Sequence, residues 1–285
     1  MAAVEDQVVL ITGSTDGIGK QTAYDLAGMG ATVLLHGRGR ERGEATLQEI
    51  RNATGNDKLE YYLADFSSLA EVRRLADEVQ ANHDALDVLI NNAGIGVGRR
   101  DEARRELSQD GYELRFAVNY LAPYLLTRLL LPALRHAAPS RIVNVASGAQ
   151  SPIDFGDVML ERRYDGLRAY AQSKLALVMF TFDLAEEFEG EDIAVNCLHP
   201  GSLLDTKMVR ETFGYALGDV QSGADAVIYL ATSEEVEGVT GKYFDQRRKA
   251  RAHEQAYDGE ARKNLRRLSE KLTESWTIRE GAADG

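Results

Sequence analysis

A chain of 285 residues with 44% apolar side chains can bury a full core, and α/β sheets of this size commonly form one unit. The formal charge of −12 and a pI near 5.0 argue against a nucleic-acid or anionic-membrane partner, and the single Cys197 excludes an intrachain disulfide framework. The leading MAAVEDQ lacks the basic region of a signal peptide, and the apolar stretch 117–134 is interrupted by Pro123, Arg128 and Pro132, so a soluble, cytoplasmic protein with no membrane partner is expected.

Residues 8–11 read as a short strand, followed by TGSTDGIG and a helix closed by Gly30. Strand, glycine turn and helix form the context in which a turn binds pyrophosphate. Glycines let the backbone approach the anion, and the helix N-terminus directs free N–H groups at it. Gly13, Gly17 and Gly19 follow the spacing TGxxxGxG, which by itself is as often a plain tight turn. A second strand, 31–36, comes at the distance a βαβ unit requires. An acid at its tip would hold the ribose diol of NAD. This chain has His36-Gly37-Arg38-Gly39-Arg40 instead, leaving room and charge for a 2′-phosphate. NADP is therefore expected, with NAD the second choice; the plainer alternative is two arginines pointing into solvent.

A helix over 41–53 and a strand over 59–64 lead to Asp65-Phe66-Ser67-Ser68, where Asp65 either meets an adenine edge or merely caps the helix at 69–82 through Ser67 or Ser68. The strand at 86–90 ends in Asn91-Asn92-Ala93-Gly94, small residues suited to a flat ring or ribose, or to a simple turn. The charged segment 98–111 reads as a solvated loop or lid. A long helix within 111–136 carries Asn119 in apolar surroundings, and a strand over 141–147 puts Ser147 at its C-terminal end, where open α/β sheets bind ligands. The connection 148–166 is long enough to suggest a functional loop.

The next helix, running to about 188, holds Tyr170 and Lys174 four residues apart on one face. An ammonium so near a phenol favours the phenolate and lowers its pKa, which suits proton exchange in a carbonyl/alcohol reaction. A strand at 193–198 breaks at His199-Pro200-Gly201, a turn able to pass over a nicotinamide. Residues 202–218 are weakly patterned, as a substrate lid would be. A helix at 222–231 and a strand at 241–245 close the alternation. Beyond 246 the chain is charged, with Ala261, Leu265, Leu268, Leu272 and Trp276 at helical spacing, a stripe that would dock on the chain's own core. The expected division is 1–245 as a dinucleotide-binding catalytic domain and 246–285 as a helical extension. No repeat and no metal-spaced cluster is present in the sequence.

Taken together, TGSTDGIG, NNAG, Ser147, Tyr170-Ala-Gln-Ser-Lys174 and His199-Pro200-Gly201 resemble the short-chain dehydrogenase/reductase family over 7–245. DGYELRFAVNYLAPYLLT, the long gap between Ser147 and Tyr170, and EVEGVTGKYF are similar to its retinol-dehydrogenase-like and WW-domain-oxidoreductase-like branch. The resemblance implies a Rossmann-type, doubly wound, seven-stranded parallel sheet. It implies hydride transfer between NADP(H) and a small carbonyl compound or a primary or secondary alcohol, without a metal. Tyr170 would be the general acid/base, and Lys174 would hold the nicotinamide ribose and tune the phenol. Ser147 would bond the substrate oxygen, and Asn119 would position a proton-relaying water. Gly13, Ser14, Thr15, Gly17, Ile18 and Gly19 would line the pyrophosphate, with Arg38 at the 2′-phosphate and Asp65 and Phe66 at the adenine. Asn91, Asn92, Ala93 and Gly94 would take the ribose side, and Pro200 and Gly201 would join Tyr170 and Lys174 at the nicotinamide. Thr206 stands six residues after Pro200, where family members often have a threonine at five.

Two alternatives accompany this reading. One is a catalytically silent NADP-binding redox sensor or partner-binding protein. The other is a nucleotide-sugar epimerase or dehydratase, which the turn spacing and the lack of a sizeable C-terminal substrate domain count against. A homo-oligomer is also expected. Tyr120, Leu125, Leu129 and Leu130 on one helix, and Leu175, Leu177, Val178, Phe180 and Phe182 on the other, exceed what one packed face requires.

Overall fold

The structure, a computed structural model, describes residues 1–98 and 104–277. The strands are β1 (Val8–Ile11), β2 (Thr32–Gly37), β3 (Leu59–Leu63), β4 (Val88–Asn91), β5 (Ser140–Val145), β6 (Ile193–His199), β7 (Lys242–Asp245) and β8 (Arg248–Ala250). They form one sheet in the order β3-β2-β1-β4-β5-β6-β7-β8, in which β1 to β7 pair in parallel and β8 pairs antiparallel to β7. The central strands are apolar nearly throughout because both faces are covered. Along β1, Val9 and Ile11 face one layer and Leu10 the other. One layer contains α1 (Gly17–Gly28), α2 (Arg40–Thr54) and α8 (Val220–Thr232). The other contains α3 (Leu69–Asn82), α5 (Ala122–His136), α6 (Gly166–Glu187) and α9 (Gly259–Thr277). The strand order reverses between β1 and β4, so the crevice for a ligand opens above their C-terminal ends.

The seven parallel strands match the sequence reading, and β8 is an addition to it. Its three residues are all exposed and two are charged, so it carries no apolar alternation to announce it. The long helix is also less regular than expected. α4 (Leu114–Phe116), a π-helical turn (Ala117–Leu121) and α5 form one rod from Leu114 to His136. That rod is long and apolar enough to cross a membrane by length and composition, but 83% of its apolar window is buried inside the fold. In the charged segment 98–111, residues 99–103 lie outside the described residues, and Leu107 makes an antiparallel bridge to Glu113.

The apolar surplus behind the expected homo-oligomer is taken up within the chain. α9 lies across the helices that carry it. The Tyr120 hydroxyl meets Ser269 Oγ at 2.6 Å, Arg266 Nε donates to Asp183 at 3.1 Å, and the Tyr112 hydroxyl donates to the Leu272 carbonyl at 3.0 Å. Tyr120, Leu125, Leu130, Leu175, Leu177, Val178, Phe180 and Phe182 are all buried, leaving that face of the two helices covered.

Candidate active site

The glycine turn is bound to the strand ends on both sides of it. Thr12 Oγ1 accepts from the backbone N–H of Asn92 at 2.9 Å and of Ala93 at 3.0 Å, while Asn92 Nδ2 donates to the carbonyls of Thr12 at 2.8 Å and Gly13 at 3.0 Å. Gly13 has φ +66°, and a Cβ there would lie 2.7 Å from Ala93 Cα, so only glycine lets β1 and β4 close up. Gly19 is likewise needed for packing, since a Cβ would meet Asn92 and the Gly13 carbonyl. Gly17, with φ +53°, faces the crevice at the start of α1, where a Cβ would meet only Thr206. Ile18 is partly buried against the α8 layer.

His36 closes the turn from below. Its Nδ1 accepts the Gly13 N–H at 3.1 Å and its Nε2 donates to the Ala64 carbonyl at 3.1 Å, while its ring stacks on Phe66 at 4.3 Å. Burial pulls the imidazole down to about 4, against weaker upward effects of the Ala64 carbonyl and Asp65. The sequence reading of His36 went no further than a strand end; no local pattern marks a histidine that will turn under the preceding loop.

Several expected cofactor contacts have their side chains turned elsewhere. Ser14 is fully buried, its hydroxyl accepting from the His36 N–H at 2.9 Å. Phe66 is buried under His36, so its ring is unavailable to an adenine. Asp65 accepts from the Ser67 N–H at 2.9 Å in a local turn, and it is Ser68 that caps α3, its hydroxyl accepting the Glu71 N–H at 3.4 Å. Asn91 is a core residue, donating to Thr127 Oγ1 at 3.0 Å and Asn144 Oδ1 at 2.8 Å. Thr15 and Arg38 stay near the mouth, with Thr15 partly exposed beside Gly37. Arg40 and Arg42 pair with Glu44 and Asp16 at 3.6 Å each, whereas exposed Arg38 has no ion pair among the described residues.

The four expected catalytic residues converge beyond the ends of β4 and β5. Lys174, 4% exposed, donates from Nζ to the Val145 carbonyl at 2.9 Å, and lies 5.9 Å from the Tyr170 ring centroid. Ser147 stands two residues beyond Val145, its Oγ accepting the Ala149 N–H at 3.1 Å. Asn119 occupies the π-helical turn, fully buried. Its Oδ1 accepts the Ile95 N–H at 2.8 Å, and its Nδ2 donates to the Ile95 carbonyl at 3.1 Å and to Ser173 Oγ at 3.0 Å. Ser173 in turn donates to the Tyr170 carbonyl at 2.7 Å. The Asn119 side chain therefore locks the loop after β4 to the turn of α6 that carries Tyr170. Gly94 lies between, where a Cβ would be 3.2 Å from Asn119 Oδ1 and 3.4 Å from Lys174 Nζ.

The electrostatics correct one expectation. The Tyr170 phenol is raised, not lowered: burial is the larger effect, and a hydrogen bond with the Ser147 side chain opposes it. Lys174 is pulled down to about 8 by burial alone. Nearly equal in acidity in water, the two groups are driven apart here, with the phenol held protonated at neutral pH. Such a site can give a proton to an oxygen bound near Ser147.

Two structural supports went unseen in the sequence. The first is α7 (Lys207–Phe213), inside the weakly patterned stretch 202–218. Thr206 caps it, accepting the Val209 N–H at 3.3 Å, and its methyl is 3.2 Å from where a Gly17 Cβ would stand. Met208 Cγ is 2.7 Å from the corresponding point at Gly96. α7 thus reaches from the glycine turn to the loop after β4, and Thr206 meets the turn despite its shifted spacing. Pro200 is buried, and Gly201, at φ +137°, opens this flap. The second is a buried cluster. Arg115 donates to the carbonyls of Gly96 at 3.0 Å and Val97 at 2.9 Å and to the Tyr164 hydroxyl at 2.7 Å, with Glu113 Oε1 at 3.5 Å.

The short chain dehydrogenase family model matches residues 7–216. Retinol dehydrogenase 13 of Mus musculus is 38% identical over 282 residues, covering 93% of this chain and 83% of its own length. Among solved structures, an uncharacterized protein from Mycobacterium paratuberculosis is similar with a TM-score of 0.76 at 30% identity, over 94% of each chain. A short chain dehydrogenase from Escherichia coli CFT073, complexed with NADPH, is similar with a TM-score of 0.67 at 29% identity, covering 85% of this chain and 96% of that one.

Proposed function

The chain belongs to the short-chain dehydrogenase family, and from that premise we propose that it is an NADP(H)-dependent oxidoreductase of small carbonyl compounds or alcohols, with Tyr170 as general acid/base. The observation that carries this reading is the meeting of Tyr170, Ser147, Lys174 and Asn119 in one cluster above the ends of β4 and β5. A dinucleotide fits the cradle on chemical grounds: Gly17 presents a bare backbone to the crevice at a helix N-terminus, and exposed Arg38 stands at the tip of β2. The bound nicotinamide supplies hydride donation or acceptance. The protein's own contribution is position and proton supply. Ser147 and Tyr170 would hold the substrate oxygen, and the phenol would deliver its proton to that oxygen in reduction and remove it in oxidation. Lys174, buried beside the phenol, would carry positive charge that favours the phenolate left behind. Asn119 would serve this chemistry as a fastener; both its amide hydrogens are already committed, so a relay water would have to use backbone groups.

NADPH oxidation and NADP reduction across a broad carbonyl and alcohol panel test the proposal. Similarity to retinol dehydrogenase 13 puts retinal and retinol in that panel. Binding of NADPH with no turnover on any member would instead support a silent sensor. Arg38→Asp should weaken NADP binding about 10- to 150-fold and improve NAD, because a charge-assisted bond to the 2′-phosphate is replaced by repulsion. Equal affinity of the unaltered protein for both cofactors would overturn the NADP assignment. We assign the protein to the cytoplasm, a placement supported by its acidic surface and the buried, unpaired Cys197 and tested by cell fractionation.

A further inference from the structure

We propose that Tyr61 is a positioning residue for cofactor choice, holding the backbone on both sides of Arg38 so that its guanidinium is presented to the 2′-phosphate. Tyr61 lies in the middle of β3, opposite Leu35 of β2. Its hydroxyl sits 3.0 Å from the Gly37 carbonyl and 2.9 Å from the Gly39 carbonyl, so its one hydrogen is shared between the carbonyls of the two residues on either side of Arg38. Burial raises the phenol, so it remains a donor across the working pH range. The Gly39 carbonyl also takes the first helical hydrogen bond of α2, from the Gly43 N–H at 3.0 Å, so the same acceptor joins the tip of β2 to the helix start.

The fit of the ring is paid for in helix propensity. Gly43 lies inside α2, where glycine is the poorest ordinary residue. A Cβ at that position would stand 1.9 Å from Tyr61 Cζ, so the ring occupies the space that any other residue at 43 would need. Gly37 is confined in the same way, between Thr15 Cγ2 at 2.7 Å and the Tyr61 hydroxyl at 3.2 Å from its would-be Cβ. Two glycines and a tyrosine from three elements thus define one conformation of a loop whose middle residue is an exposed arginine without an ion pair among the described residues. A floppy loop would lose part of the affinity of its arginine in ordering it on binding.

This inference rests on the NADP reading of Arg38, and the experiment separates the two. NADPH and NADH dissociation constants are measured by fluorescence titration for the full chain, Tyr61→Phe, Arg38→Ala and the double variant. Tyr61→Phe keeps the ring, and with it the packing against Gly43. It should raise the NADPH constant about 3- to 10-fold, the range of one neutral hydrogen bond, and change NADH less than twofold. In the Arg38→Ala background the second substitution should have no further effect on NADPH. Equal weakening of both cofactors, additive effects in the double variant, or no change in Tyr61→Phe would overturn the role of Tyr61 while leaving Arg38 standing. If Arg38→Ala itself leaves the NADPH to NADH ratio unchanged, the NADP reading falls and this inference with it.

Discussion

At the scale of single residues the acidity of the proposed proton donor, Tyr170, is set by burial and by Ser147 rather than by its lysine neighbour. Tyr170 is raised and Lys174 is lowered to about 8, so near neutral pH the phenol is a proton source. Tyr170→Phe should reduce turnover by 10²–10⁴-fold or more while NADPH binding and the melting curve stay close to those of the parent, since only a hydroxyl is lost. Retention of near-full activity on the best substrate would remove the assignment. His36 gives a second prediction. Its folded pKa, about 4, lies below the ordinary 6.5, so the unfolded chain takes up the proton first as pH falls. The stabilisation is present above about pH 6.5 and is lost on acidification toward pH 4, amounting to about 2 kcal/mol between pH 7.5 and pH 5. Urea denaturation at the two pH values reads this, and His36→Asn should flatten the difference. The convergence of Tyr170, Lys174 and Ser147 was legible because helical spacing and a strand's end fix their neighbours locally. The side-chain directions of Ser14, Phe66 and Asn91 were not legible, because each is decided by tertiary partners, His36 for the first two and Asn144 with Thr127 for the third.

Between elements, the site depends on a buried charge pair that joins three segments. Glu113 is fully buried and accepts the Phe116 N–H at 2.7 Å, Arg115 holds the loop after β4, and Tyr164 comes from the connection before α6. Arg115→Met would leave the Glu113 carboxylate buried without its cation and should cost about 3–5 kcal/mol in urea denaturation. Tyr164→Phe removes a hydroxyl that accepts from Arg115 and donates to Glu113 at 3.3 Å, and should cost about 1.5–3 kcal/mol. A loss below about 1 kcal/mol for Arg115→Met would show that the pair is dispensable. The alternation of strands and helices was readable because buried strands and amphipathic helices leave a period in the sequence. β8, α7 and the π-helical turn leave none: the first two are short and mostly exposed, and the third differs from an ordinary helix only in hydrogen-bond offset.

For the whole molecule, α9 decides which surfaces remain for association. The apolar faces of α5 and α6 that suggested paired subunits are covered by the chain's own last described helix, with Arg262 and Arg266 on Asp183 and Arg73 reaching the Trp276 carbonyl. Light scattering should return a 31.4 kDa species for the full chain, and truncation before Gly259 should yield a larger or aggregating one. A stable dimer of the full chain would mean pairing through another surface. The stripe from Ala261 to Trp276 was legible as a docking helix, but its target was not, because periodicity shows a face and says nothing of what meets it. A tethered segment faces its groove at an effective concentration in the millimolar range, far above the micromolar level at which a second copy could compete. Turnover per molecule should therefore stay constant through serial dilution in the assay cuvette, down to concentrations at which an enzyme built from paired subunits would fall apart.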